Sequence, residues 1–355
     1  MAANSFFFKI NIQFENLGDL LINRELIKLA GAHGRVIVDV SKCPSYFIDD
    51  IRDQKLPHAL LLISSVAFFR ELLLERLRKR RCYYFLCPGG VSGQMQWREF
   101  ARKLALLPVF FLLSVIGLRI CQLGVSYERI NPLYAAYLKL RASAIAFHFV
   151  RDNHSLSQLQ MLDIPHDGVL PDLAFALFGG VSPSDLIRNV CLSFRTDQNA
   201  MQLDRVKRFI CELLKALPLE TNIYLLAQVR WDAPGMKDLQ AWLAKDHGRK
   251  SVLQVNCESV EQNMAFLRQC DIVFANRLHM LLLGASQCGR MVACIDEHNT
   301  KIRGLFETLG LSDAVLTLDS VLTREQVEKA AAVIFDGAGE ARKLRDGLQR
   351  IVASR

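Results

Sequence analysis

At 355 residues the chain is long enough for two domains of about 150 residues each, and 51% hydrophobic with 23% charged residues excludes disorder as its overall state. Ten cysteines without a CxxC pair exclude a disulfide framework and a structural zinc site, and fit reduced thiols in a cytosolic protein. The net charge of +8 favours anionic partners, whether phosphates, nucleic acid or a lipid surface, without choosing among them.

The start, "MAANSFFFKINIQF", has no basic region leading into a signal-like apolar core, so it reads as a first strand and secretion is not expected. "GDLLINRELIKLAG" follows as a helix ending at a glycine, and "RVIVDV" as a second strand. Pro57 to Arg80 reads as mainly helical, ending in "ERLRKRR", where five of seven residues are cations. The plainer reading of that run is a solvated helix end complementing the helix dipole, and the sharper one is a contact with anionic membrane.

"CYYFLC" is a third strand, running into the glycine turn "PGGVSG", and a helix spans about Gln96 to Ile116. Its apolar run at 104–118 is shorter than the roughly 20 residues that cross a bilayer, so it is expected to be a buried helix. "LRICQLGV" and "AIAFHFVRD" are further strands, with a helix from about Ser155 to Leu162. After "FGGVSPSD" at 178–185 the alternation restarts, with "RNVCLSFR", "TNIYLLAQV", "SVLQV", "DIVFA" and "RMVACI" as strands separated by helices. "RMVACI" is expected to close the sheet, and the last forty residues to be helical and to pack back across the joint.

This β-α alternation specifies an α/β fold with parallel sheets covered by helices. We expect two Rossmann-like domains facing a cleft, residues 1–181 and 182–355.

Ligands of open α/β sheets lie beyond the carboxyl ends of strands, so polar residues there are candidates. After the first strand, "ENLGDLLIN" offers Asn16, Gly18 and Asp19, with Asp19 placed to cap the next helix. "CPGGVSGQ" offers the amides of Gly89, Gly90 and Gly93, or a plain glycine turn. In "VRDNHS", Arg151 ends a strand and Asn153 or Ser155 can cap a helix, while Asp172 in "PDLAF" reads as a turn or cap residue. In the second half, Arg195 ends "CLSFR", Arg277 and His279 follow "DIVFA", and Lys301 lies past the final strand. Arginine binds carboxylate and phosphate in bidentate fashion, and histidine exchanges a proton near neutrality. A helix start beside Asn276 adds amides favourable to an anion.

In order and spacing, "NLGDLLI", "PGG", "VRDNHSLSQLQMLDI…LPDLAFAL", "LSFR" and "FANRLHMLLLGASQCGRMVACIDEHNTKIRGLFETLGL" together resemble the polysaccharide pyruvyl transferase family. The resemblance implies an architecture similar to glycosyltransferase B, with residues 1–181 on the acceptor side and 182–355 on the donor side. It also implies transfer of a pyruvyl group from phosphoenolpyruvate to a sugar as a cyclic ketal, with phosphate released. By that resemblance His279 has the proton-transfer role, Arg277 and Arg195 clamp the anion, and Lys301 assists phosphate departure. Phosphoenolpyruvate is the donor substrate, and no cofactor and no metal are expected. "LGVSYERINPL" lacks the glycine-rich form the resemblance leads one to expect, and "CPGGVSG" lacks a third consecutive glycine, so the acceptor is left open.

Two other readings fit the same residues: a nucleotide-sugar glycosyltransferase of the same architecture, and a non-catalytic, membrane-associated subunit of a polysaccharide assembly. The expected partners are a saccharide acceptor, lipid-linked or not, and an anionic membrane touched peripherally. Nucleic acid is not expected, because the cations do not interleave with aromatics. The expected location is cytoplasmic, at the inner membrane face if the basic helix is used.

Overall fold

The structure is a computed structural model and describes residues 4–54, 56, 59–196 and 200–354. Its strands are β1 (Asn4–Lys9), β2 (Arg35–Asp39), β3 (Leu60–Leu62), β4 (Arg81–Leu86), β5 (Gly89–Val91), β6 (Leu118–Tyr127), β7 (Ile145–Val150) and β8 (Gly168–Val169). They continue as β9 (Asn189–Ser193), β10 (Asn222–Ala227), β11 (Ser251–Val255), β12 (Ile272–Ala275), β13 (Met291–Ile295) and β14 (Val315–Thr317). Helices connect them, so neighbouring strands pair in parallel throughout.

The chain forms two compact units, one of 1–14, 21–176 and 340–355 and the other of 15–20 and 177–339. Where the sequence suggests a single division at 181/182, the units are discontinuous. The helix Ala338–Ala353 falls almost wholly in the first, and the Glu15–Leu20 segment groups with the second.

The first unit carries one sheet in the order β3-β2-β1-β4-β6-β7-β8, with β5 also paired to β6. The second carries the order β11-β10-β9-β12-β13-β14. Counted from β9, this is the doubly wound order whose switch point lies between its first and fourth strands, here β9 and β12. Strands buried on both faces read as unbroken apolar runs: "IVFA" of β12 and "MVACI" of β13 are buried at every position. In the second core Leu192, Phe194 and Phe209 meet Leu239, Leu243 and Phe274. Full burial of side chains of this size contributes about 1.5–3 kcal/mol each.

The helix Leu278–Cys288 lies close on β12, because a Cβ on Gly284 would meet Val273 Cγ2 at 2.4 Å. It stops at Gly289, whose φ of 75° only glycine adopts readily and whose amide donates to Ala285 O at 2.8 Å.

Several expectations are corrected. Within the stretch read as helical, Leu60–Leu62 is a strand and the helix is Ser65–Leu77; Pro57 and His58 lie outside the described residues. Gly89 and Gly90 form β5, paired as Gly89↔Val125 and Gly90↔Ser126, and are not a turn. β13 does not close the sheet, since β14 pairs beyond it. The apolar helix Trp97–Val115 is not buried, because Leu106, Val109, Leu112 and Val115 are exposed.

Part of the basic run also folds inward. Glu75 is buried and accepts from Arg35 at 2.8 Å, Arg78 at 2.6 Å and Arg80 at 2.8 Å, while Arg76 donates to Ile116 O at 2.9 Å.

Candidate functional site

Parallel strands end on the same edge of their sheet. The loops after β10, β9, β12 and β13 are therefore consecutive along one edge of the second unit, with the switch point in the middle. At that point Asn276 ties the two central loops together: its Oδ1 accepts from the Arg195 amide at 2.6 Å, and its own amide donates to Ser193 O at 3.4 Å. The Arg195 side chain is exposed at this edge.

Arg277 occupies the N-cap position of the helix Leu278–Cys288 with extended dihedrals (φ −118°, ψ 125°), so the helix begins without a side-chain cap. Its guanidinium reaches back to Asp232, at 2.9 Å from Oδ1 and 2.7 Å from Oδ2. Asp232 is 1% exposed and also accepts from the Thr196 amide at 3.0 Å. Both distances run from the same nitrogen, Nη2, so the ion pair anchors the tip of the side chain against a buried carboxylate.

His279 is the second residue of that helix and is half-buried. Its neighbour comes from the start of the chain. A Cβ built on Gly18 would lie 2.3 Å from His279 Nδ1 and 2.9 Å from Gln228 Nε2. Gly18 is the second residue of the helix Leu17–Gly31. That segment is anchored to the loop after β10 through Leu17 N to Gln228 O at 3.2 Å, Gln228 Nε2 to Asn16 Oδ1 at 3.3 Å and a bridge between Asn16 and Val229. Arg230 adds an ion pair to Glu15 at 2.6 Å. Two helix N-termini therefore adjoin at Gly18 and His279, each with a partial positive charge that favours an anion.

The cap of the first of these helices is Asn16, whose Oδ1 accepts from the Gly18 amide at 3.0 Å. Asp19, expected as the cap, lies inside the first turn, where its charge complements the helix dipole. Similarly, Asp152 caps Asn153–Met161 through the Ser155 amide, so Asn153 and Ser155 are helical rather than caps.

Lys301 is the second residue of the helix Thr300–Thr308, after β13. Near it along the sheet edge, Asp296 is paired with Arg205, which also donates through Nε to Asp319 at 2.8 Å. Gly89, Gly90 and Arg151 belong to the first unit. Arg151 is 4% exposed and donates to Asp172 at 2.7 Å and to Ser126 at 2.9 Å, an internal clamp within that unit. Asp172 fits its expected turn role by also accepting from the Ala174 amide.

Three residues of the second edge escaped sequence reasoning: Asp232, Gln228 and Thr196. Asp232 and Gln228 stand in "QVRWD" just past β10, and their position at a strand's carboxyl end was the available signal. Gln228 is 4% exposed, and among the described residues its Oε1 has no hydrogen-bond partner. In the first unit, a cavity beyond the carboxyl ends of β1, β2 and β4 is lined by Lys9, Asn11, Asp39, Ser41 and Lys42, none of which stood out in the sequence.

The family model described as polysaccharide pyruvyl transferase matches residues 16–299. No curated protein matches the sequence. Among solved structures, the chain is similar to UDP-GlcNAc 2-epimerase of Methanocaldococcus jannaschii, at 11% identity and TM-score 0.56, covering 99% of each chain. It is similar to the Neisseria meningitidis UDP-GlcNAc 2-epimerase bound to UDP-GlcNAc, at 12% identity and TM-score 0.53, covering 99% of this chain and 100% of the other. It is also similar to S. aureus MnaA with UDP, at 10% identity and TM-score 0.56, covering 99% and 96%. At such identities the likeness concerns the fold alone, which is of the glycosyltransferase B type.

Proposed function

The chain belongs to the polysaccharide pyruvyl transferase family, and from that membership we propose that it moves the pyruvyl group of phosphoenolpyruvate onto two hydroxyls of a saccharide. A proton is added to the methylene carbon of the donor, and one hydroxyl attacks the adjacent carbon. The second hydroxyl then displaces phosphate, closing a cyclic ketal. Of the two hydroxyl protons, one balances the proton given to the methylene and the other leaves with the phosphate.

The observation that carries this reading is the contact of His279 with Gly18 where two helix N-termini adjoin, beside Arg277 at the switch point. Phosphoenolpyruvate has a carboxylate and a phosphate, and both suit paired helix ends and arginines. In this reading His279 transfers the proton, a contribution typically worth about 10² to 10⁴ in rate. Arg277, anchored by its ion pair with Asp232, and Arg195 clamp the donor, and Lys301 steadies the departing phosphate. Asn16 and Asp19 shape the helix start against which the donor lies. Gly89, Gly90 and Arg151 belong to the framework of the acceptor side.

The test is phosphate release from phosphoenolpyruvate with a panel of lipid-linked and nucleotide-linked saccharides, beside Arg277→Ala and His279→Ala. Release that requires an acceptor and both side chains is expected. Binding of a nucleotide sugar, with neither binding nor turnover of phosphoenolpyruvate, would overturn the proposal in favour of a glycosyltransferase.

A further inference from the structure

A helix that covers a sheet ordinarily turns a polar face outward. Two helices of the first unit do not. Ser65–Leu77 exposes Val66 (80%), Phe69, Leu73 and Leu77 (78%), spaced by three and four residues along one stripe. Trp97–Val115 exposes Leu106, Val109, Leu112 (62%) and Val115 (83%).

The two helices lie on the same side of the sheet. Phe68 and Leu72 of one share a core cluster with Leu113 of the other, and Arg76 donates to Ile116 O at the shared end. Scattered apolar residues on a surface are normal, but exposed apolar stripes on two helices covering the same side of one sheet mark an interaction site.

The charge on these helices has one outward sign. Arg70, Arg98 and Arg102 are exposed, with Lys79 just past the end of the first helix. The acids turn to internal or neighbouring partners: Glu71 and Glu75 pair with Arg35, and Glu99 with Lys103.

We propose that this face docks the protein on an anionic lipid bilayer. The aliphatic side chains enter the boundary between headgroups and acyl chains, while the arginines meet lipid phosphates, the arrangement of helices lying in a membrane interface. Among the described residues no helix is long and apolar enough to cross a membrane, so the contact is peripheral. The proposal is independent of the donor chemistry, and its test reads vesicle binding rather than turnover.

The full chain is sedimented with vesicles of phosphatidylcholine alone or of equal parts phosphatidylcholine and phosphatidylglycerol. Partition onto the anionic vesicles is expected to be at least about tenfold stronger and to fall as salt rises. Leu73→Ser with Leu112→Ser reduces binding to the anionic vesicles, and Arg98→Glu with Arg102→Glu abolishes the anionic preference while leaving the melting temperature unchanged. Absence of co-sedimentation at low salt, or binding indifferent to both pairs, overturns the proposal. So does a concentration-dependent dimer that the leucine pair dissolves, because a second copy of the chain then covers the face.

Discussion

Gly18 and His279 touch so closely that no side chain fits between them, with a Cβ on Gly18 standing 2.3 Å from the imidazole Nδ1. The two residues are far apart in sequence, and each sits one residue inside the start of its own helix.

Gly18→Ala therefore separates folding from function. Alanine favours a helix over glycine by about 1 kcal/mol, which offsets part of the about 1–3 kcal/mol that the added methyl costs against the ring, so the protein is expected to stay folded with a modest fall in thermal stability. The imidazole must move, and a displacement of that size costs about a hundredfold in kcat when the ring is catalytic. A folded Gly18→Ala protein with undiminished phosphate release would remove His279 from the proposed proton transfer.

Asp232 anchors Arg277 through its Nη2 and also accepts from the Thr196 amide. In Asp232→Asn the amide contact can persist but the charged pair is lost. Urea denaturation is expected to show a loss of about 1.5–3 kcal/mol, the range for hydrogen bonds to charged groups. The KM for phosphoenolpyruvate should rise more than kcat falls, because the arginine keeps its charge but not its orientation. A fall in kcat alone contradicts the clamp.

Glu75 organises Arg35, Arg78 and Arg80 around a buried carboxylate. Burial pushes its pKa up, but the Ser5 hydroxyl and the Arg78, Arg35 and Arg80 guanidiniums outweigh burial and hold it below the ordinary value. A carboxyl depressed on folding contributes stability that is present above its unfolded pKa, about 4.3, and is lost as pH falls through the folded value. Glu75→Gln is expected to cost about 1–3 kcal/mol near neutrality, since the arginines are partly exposed and can rehydrate. It should also flatten the acid limb of the stability curve. An unchanged limb would assign acid lability to other carboxylates.

His148 shows the opposite charge type. It is buried, and its Nε2 lies 2.9 Å from the Tyr127 hydroxyl while Nδ1 lies 3.1 Å from Pro165 O. Burial, with Arg141 nearby, lowers its pKa to about 4. The folded protein therefore holds the ring neutral between about 4 and its unfolded value near 6.5, while the unfolded chain binds the proton. Stability is full above that window and declines as pH falls through it. Chemical denaturation between pH 7 and 4 should show this decline, and His148→Gln should reduce it. The same decline in the variant would mean that another group titrates there.

Much of the fold was legible because parallel sheets bury both faces. "FFFK", "VCLS" and "IVFA" are short apolar runs bounded by helices, and they became β1, β9 and β12. β3 and β14 were not read, since each has three residues, too few for a period to register, and leucine also favours helices. The apolar run at 104–118 misled for a different reason: hydrophobicity alone does not say which face is covered, and part of that helix faces solvent.

The sequence by itself determined the α/β alternation, the family pattern and the chemistry available at Arg277 and His279, because residue type and local spacing are one-dimensional properties. Tertiary structure alone decided that "NLGD" lies against "RLH", that Arg277 is held by Asp232, and that Arg78 and Arg80 of the basic run close on Glu75. These pairings depend on strand order and on which loops share a sheet edge. Strand order follows from packing across the whole domain, and no local stretch of residues encodes it.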